Sequence, residues 1–202
     1  KLTIQNVPTE FSLTIKNKIF PQDNTELEGL YKSGSIFCTQ NEPEGFRRIT
    51  PYLDRPDVMS VFTTTVIGDK KKYPMLLSNG NKHSIKDISD SKHAVTWLDP
   101  HPKPAYLFAL VAGDLGCVND SFLTASNETI ELNIYCDLGN ESKCTHAMES
   151  LKQSMTWDEQ KYGREYDLEI YNIVAVDSFN MGAMENKGLN IFNSAYVLAN
   201  ED

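Results

Sequence analysis

A chain of 202 residues with 40% hydrophobic side chains can bury one large core or two modest ones, which argues against disorder. A formal net charge of −9 weighs against nucleic acid and anionic membrane, both of which reward clustered Lys and Arg. No apolar run approaches the roughly 18 residues of a membrane span. The first half reads as β. Phe11, Leu13 and Ile15 alternate with polar residues, and 62–67 is rich in β-branched side chains. Residues 75–77 run into Ser78, Asn79 and Gly80, where Asn-Gly signals a hairpin. Alternation returns at 94–98. Pro100, Pro102 and Pro104 then block regular structure before a continuously apolar stretch, 106–112, which predicts a strand covered on both faces. Short strands with turns between them suggest an antiparallel sandwich, ending at a junction near Gly113 and Asp114.

The second half changes character. Residues 129–136 alternate as a strand. Residues 142–162 form the one good helix, with Cys144, Ala147, Met148, Leu151 and Met155 on one face and Gly163 at its stop. Residues 168–176 and 189–198 read as further strands, giving a small α/β lobe. Cys38, Cys117, Cys136 and Cys144 form no C-x-x-C pair, and their sparseness suggests buried free thiols in a reducing compartment. The glycosylation-type triplets at Asn119, Asn127 and Asn140 carry no meaning without secretion. No signal peptide is visible. The first residue is Lys1, so a processed or trimmed piece is expected.

Zinc is the easiest chemistry to test. None of His83, His93, His101 or His146 is followed by Glu, so no H-E-x-x-H helix exists, and no metal site is expected within this chain. Neither a nucleophile elbow nor a phosphate loop is present. Two carboxylates stand out by their setting. Glu185 lies in M-G-A-M-E-N-K-G, beside a predicted strand and just after the small residues Gly182 and Ala183. Glu42 precedes Pro43, which biases it toward an extended conformation. In such a segment Gln40 would face the same way. Arg47 and Arg48 are expected to pair with Glu44, Asp54 or Asp57. A solvated surface loop is the ordinary reading of Glu42 taken alone.

Taken together, the segments resemble the bacterial branch of the gluzincin, M1-type zinc aminopeptidases. G-A-M-E-N at 182–186 is that family's exopeptidase motif, and the match extends over 180–193. C-T-Q at 38–40, E-G-F-R-R-I at 44–49, L-D-R-P-D at 53–57, the run 103–114 and W-D-E at 157–159 join it in order. The resemblance implies a mostly β protein with an α/β part. A saddle-like antiparallel β-sandwich domain, lacking its first strands, would span 1–113. The first lobe of a thermolysin-like catalytic domain would span 114–202.

It implies a broad-specificity aminopeptidase whose substrate is a peptide with a free N-terminal amine. Glu185 would bind that amine as the catalytic anchor, and Glu42 would partner it from the other domain. Gln40 and Met181 would line the pocket for the first side chain. Gly182, Ala183 and Met184 would bring backbone groups to the substrate, with Asn186 fixing the strand. The parent's zinc would sit on H-E-x-x-H and a further Glu downstream, activating water with the helix glutamate as base. The stretch in hand would hold no zinc and be inactive alone. A cytoplasmic parent is expected. The sequence leaves oligomeric state open, with a monomer as the expectation. Asn41 stands where close relatives often have Cys. An alternative is a non-catalytic peptide-binding or scaffold module of the same fold. Ala183 counts against the branch that also hydrolyses an epoxide, which has Gly there.

Overall fold

The computed structural model describes residues 3–200. Twelve strands and one α-helix follow in chain order: β1 (Gly29–Ser33), β2 (Ile36–Gln40), β3 (Ser60–Asp69), β4 (Met75–Ser78), β5 (Asn81–Asp87), β6 (Lys92–Lys103), β7 (Leu110–Gly113), β8 (Gly116–Leu123), β9 (Thr129–Cys136), α1 (Thr145–Tyr162), β10 (Ile170–Val176), β11 (Ala183–Met184) and β12 (Leu189–Asn193). They form three sheets, ordered β1-β2-β7-β4, β3-β6-β5 and β11-β12-β10-β9-β8. The first two are wholly antiparallel. In the third, β10 runs parallel to both β9 and β12, while β8 and β11 close the two edges antiparallel. The fold is therefore mostly β, with an α/β part at its C-terminal end.

Burial explains the layering. Trp97 of β6 is fully buried and donates its indole N–H to the Leu76 carbonyl at 2.9 Å, which ties the second sheet to the first. The largest core cluster joins Tyr31, Cys38, Leu77, Val95, Trp97 and Val111 to Val174, Met184, Leu189 and Ile191. It thus runs through all three sheets. The other face of the third sheet is covered by α1 through Met148, Leu151 and Met155, which meet Leu132, Ile134 and Ile173. The helix stripe read from the sequence is that contact. Its end is also as expected, with the Gly163 N–H donating to the Glu159 carbonyl at 2.9 Å.

Several elements differ from the sequence reading, each for a physical reason. Residues 11–15 form no strand, and Phe11 and Leu13 are exposed. Alternation makes a strand only where a neighbour completes its hydrogen bonds, and no described residue pairs with this stretch. Asn79 and Gly80 do not close a hairpin, because β4 pairs with β7 and β5 with β6, in different sheets. Gly80 has φ +89, and a Cβ there would lie 2.2 Å from the Leu98 carbonyl oxygen, so the residue lets the chain cross closely over β6. Gly80→Ala is accordingly expected to destabilise by about 2–3 kcal/mol through strain and backbone clash. A lowered melting temperature of the full-length protein checks it.

Pro100 and Pro102 do not interrupt β6. Beyond Leu98 the strand has lost β5, and its pairing with β3 is bulged between Ser60 and Phe62, so missing N–H groups are tolerated. The apolar run at 106–112 is split between a 3-10 turn (Ala105–Leu107) and β7. The last predicted strand stops at Asn193, whose side chain accepts from the Ala195 N–H and starts another 3-10 turn.

Candidate functional site

The segment before β11 is held by three contacts to the first sheet and one to the chain just before β1. Tyr31 donates its hydroxyl to the Ser178 carbonyl at 3.1 Å, and the Ser178 N–H donates to the Ser33 hydroxyl at 3.1 Å. Asn180 donates to the Leu27 carbonyl at 3.2 Å. Gln40, at the end of β2, donates its amide to the Met181 sulfur at 2.6 Å. Two of the sequence-predicted site residues, 141 positions apart, are thereby brought together. The Gln40 amide oxygen is buried and has no partner among the described residues.

Glu42 follows two residues later and is half-buried. The segment does not stay extended there. The Glu42–Pro43 peptide is cis, and the chain turns so that the Gly45 N–H donates to the Asn41 carbonyl at 2.8 Å. A Cβ on Gly45 would lie 2.5 Å from the Gln40 carbonyl oxygen, so only glycine permits so close a return. Phe46 then plugs into an aromatic cluster with Tyr52, Phe62 and Phe108, which holds the turn down. Asn41 is fully buried and donates to the Phe108 carbonyl at 2.7 Å. The structure thus places Gln40 against Met181, and turns the chain at Glu42 where the sequence reading expected it extended.

Gly182 and Ala183 are exposed, and β11 is the edge strand of its sheet. The Gly182 carbonyl accepts from the Asn193 N–H at 2.9 Å, which occupies its inner side. Among the described residues, a Cβ at Gly182 would meet only the Tyr196 ring, at an ordinary 3.5 Å, so none of them demands glycine there. Met184 is fully buried in the shared core and anchors the strand. Asn186 is buried too. Its amide donates to the Met184 carbonyl at 3.4 Å, and its own carbonyl accepts from the Leu189 N–H at 3.0 Å. Between those two buried residues, Glu185 is exposed.

The charges around both glutamates are already committed. Arg47 pairs with Glu44 at 3.1 Å and Asp54 at 3.3 Å, and Arg48 pairs with Glu28 at 2.8 Å. Asp57 pairs instead with Arg55. Lys187 binds Asp167, which His101 also approaches at 3.5 Å. Partial burial would raise the Asp167 carboxyl, but Lys187 and His101 hold it below its usual range. Among the described residues, neither Glu42 nor Glu185 has an ion pair or a side-chain hydrogen bond.

No group of three His, Cys, Asp or Glu among the described residues is close enough to hold a metal ion. His93 is engaged with the Tyr73 carbonyl and His101 with Asp167. These residues do not fit a zinc ion. None of the described helices is long and apolar enough to cross a membrane.

Asn79, Tyr31, Ser33 and Asn180 hold the site segment in place but were not singled out from the sequence as site residues. Asn180 lay within the family match at 180–193, and Asn79 carried a signal of another kind, a hairpin.

The family descriptions "Peptidase M1 N-terminal domain" and "Peptidase family M1 domain" match residues 2–107 and 146–202. Aminopeptidase N of Escherichia coli (strain K12) is 60% identical over 201 residues, which is 100% of this chain and 23% of the relative. Aminopeptidase N of Haemophilus influenzae is 57% identical over 191 residues, 95% of this chain and 22% of the relative. The crystal structure of Legionella pneumophila aminopeptidase A in complex with aspartic acid superposes with a TM-score of 0.84 at 40% identity, over 87% of this chain and 21% of that one. The chain therefore spans less than a quarter of the length of these relatives.

Proposed function

The chain belongs to the peptidase M1 family, and from that premise we propose that it is the substrate-anchoring part of a zinc aminopeptidase that removes N-terminal residues from peptides. The observation that carries the reading is the Gln40–Met181 contact. It joins the two segments that bear Glu42 and Glu185, whose carboxylates have no partner among the described residues.

A peptide's α-ammonium offers three N–H donors and a full charge, and its removal from water is costly unless acceptors are waiting. Glu185, with Glu42 from the other side, supplies them. Both are acceptor-only when ionised and are uncommitted among the described residues. A chain interior has no such ammonium, so the demand for one makes an exopeptidase. The peptide extends along the open edge of β11, where Gly182 and Ala183 leave the backbone uncovered. Met181 and Gln40 form the wall for the first side chain. The soft thioether suits several residues there, which favours broad specificity.

Zinc, with the water-activating step it supplies in this family, belongs in this reading to the remainder of the parent protein. This stretch binds and orients substrate, and is inactive by itself. The domain division follows the same reading, with a β-sandwich to residue 113 and the first catalytic lobe from 114. A cytoplasmic location agrees with four free cysteines, of which Cys38, Cys136 and Cys144 are buried as expected while Cys117 is exposed, against expectation.

The test uses the full-length protein and one peptide in two forms. The free-amine form is expected to lose its first residue, and the N-acetylated form to be spared. Equal cleavage of both, or cleavage inside the acetylated chain, contradicts the reading.

A further inference from the structure

The G-A-M-E-N segment is held at two ends. Its N-terminal end is tied to β1 and β2 as described above. Its C-terminal end is tied to one residue of the turn after β4. Asn79 is 2% exposed, and its amide makes three bonds. Its oxygen accepts from the Ala109 N–H at 2.7 Å. Its nitrogen donates to the Leu107 carbonyl at 2.9 Å and to the Lys187 carbonyl at 2.9 Å. Both donors are used, and the third partner is 108 positions away, two residues past Glu185.

The backbones meet there as well. A Cβ on Gly188 would lie 3.2 Å from the Gly80 nitrogen and 3.0 Å from a Leu168 methyl. The Asn172 N–H donates to the Gly188 carbonyl at 3.1 Å, which holds the same turn from the sheet side. Between the two ends, β11 has only two paired positions, Ala183 with Phe192 and Met184 with Ile191. So short a ladder leaves the direction of the Glu185 carboxylate to the anchors on either side.

We propose that Asn79 is a positioning residue for Glu185: through the Lys187 carbonyl it fixes the turn that aims this carboxylate at the substrate amine. The proposal rests on the reading of Glu185 as the amine anchor. It goes further by assigning substrate positioning to a side chain in the turn after β4 that touches no substrate. The same three bonds explain why Asn rather than Asp is needed, because an aspartate could keep the Ala109 contact but could donate to neither carbonyl.

The experiment is a double-substitution cycle in the full-length enzyme, with a free-amine aminoacyl anilide as substrate. Asn79→Asp is nearly isosteric and keeps the acceptor for Ala109. It is expected to lower kcat/KM about tenfold, because small misplacements of a binding group are costly. In a Glu185→Gln background the same substitution is expected to change kcat/KM by less than about twofold, since there is no anchor left to misplace. Asn79→Ala, which introduces no charge, should behave alike. A folded Asn79→Asp protein with activity within about twofold of the parent overturns the proposal. So does an undiminished effect in the Glu185→Gln background, which would mark a general structural role. If neither Asn79 variant folds, Asn79 is a determinant of the fold and the proposal also falls. The premise is read separately: Glu185→Gln alone must lose activity. If it does not, the amine-anchor reading fails whatever Asn79 does.

Discussion

Asp99→Ala is expected to destabilise the protein by about 3–5 kcal/mol, because it strands a buried ammonium. Lys103 and Asp99 lie four residues apart on β6, their side chains 4% and 0% exposed, with Nζ and Oδ2 at 2.9 Å. Among the described residues, the ammonium's other favourable neighbour is the Phe62 ring, 4.2 Å from Nζ. Burial already pushes the Lys103 pKa down, and Asp99 works against that push. Without Asp99 the desolvation is unopposed, and the folded-state pKa falls further. The folded state then binds fewer protons than the unfolded state between that lowered value and the ordinary lysine value of about 10.4. Stability therefore rises with pH across this window, and part of the loss should return on going from neutral to alkaline pH. Melting temperatures of parent and variant at the two pH values check both the size and the sign. Replacing both residues by apolar side chains of similar volume should cost much less than Asp99→Ala, since neither charge is then left alone.

Periodicity made some of this molecule legible. The strand at 129–136 coincides with β9, and the apolar stripe on α1 is the face that meets the third sheet. These elements satisfy their own pattern locally, so local sequence suffices. The failures are non-local. Asn79-Gly80 has the composition of a hairpin, but hairpin or crossing depends on which sheet accepts the next strand, and that is settled by Trp97 and the shared core. The prolines of β6 look like breakers until the strand is seen to have lost a neighbour beyond Leu98. β1 and β2 were not picked out individually. The site divides in the same way. Glu185 was found through a motif and a resemblance, since an exposed Glu near a strand is ordinary by propensity. The hold on that motif was invisible, because Tyr31, Ser33 and Asn79 become its neighbours only when three sheets meet.

Glu185→Gln is expected to remove most of the enzyme's ability to use free-amine substrates and to leave the fold alone. The carboxylate is exposed and has no hydrogen bond or ion pair among the described residues, so its loss breaks nothing inside the chain. Glutamine keeps the size and one acceptor oxygen but loses the charge that, in the proposed reading, meets the ammonium. A charge-assisted hydrogen bond of this kind contributes about 1.5–3 kcal/mol, so the expected loss in kcat/KM reaches about 100-fold. A solvent-exposed salt bridge would be worth at most about 1 kcal/mol, or some fivefold. In the proposed reading the two carboxylates share the ammonium, so Glu42→Ala should also impair free-amine substrates.

The most direct measurement is therefore kcat/KM of full-length Glu185→Gln, set against the parent protein, with the melting temperature recorded on the same preparations. A loss of about 10- to 100-fold at an unchanged melting temperature is the predicted result. Activity within about fivefold of the parent would contradict the assignment of Glu185 as the residue that meets the amine.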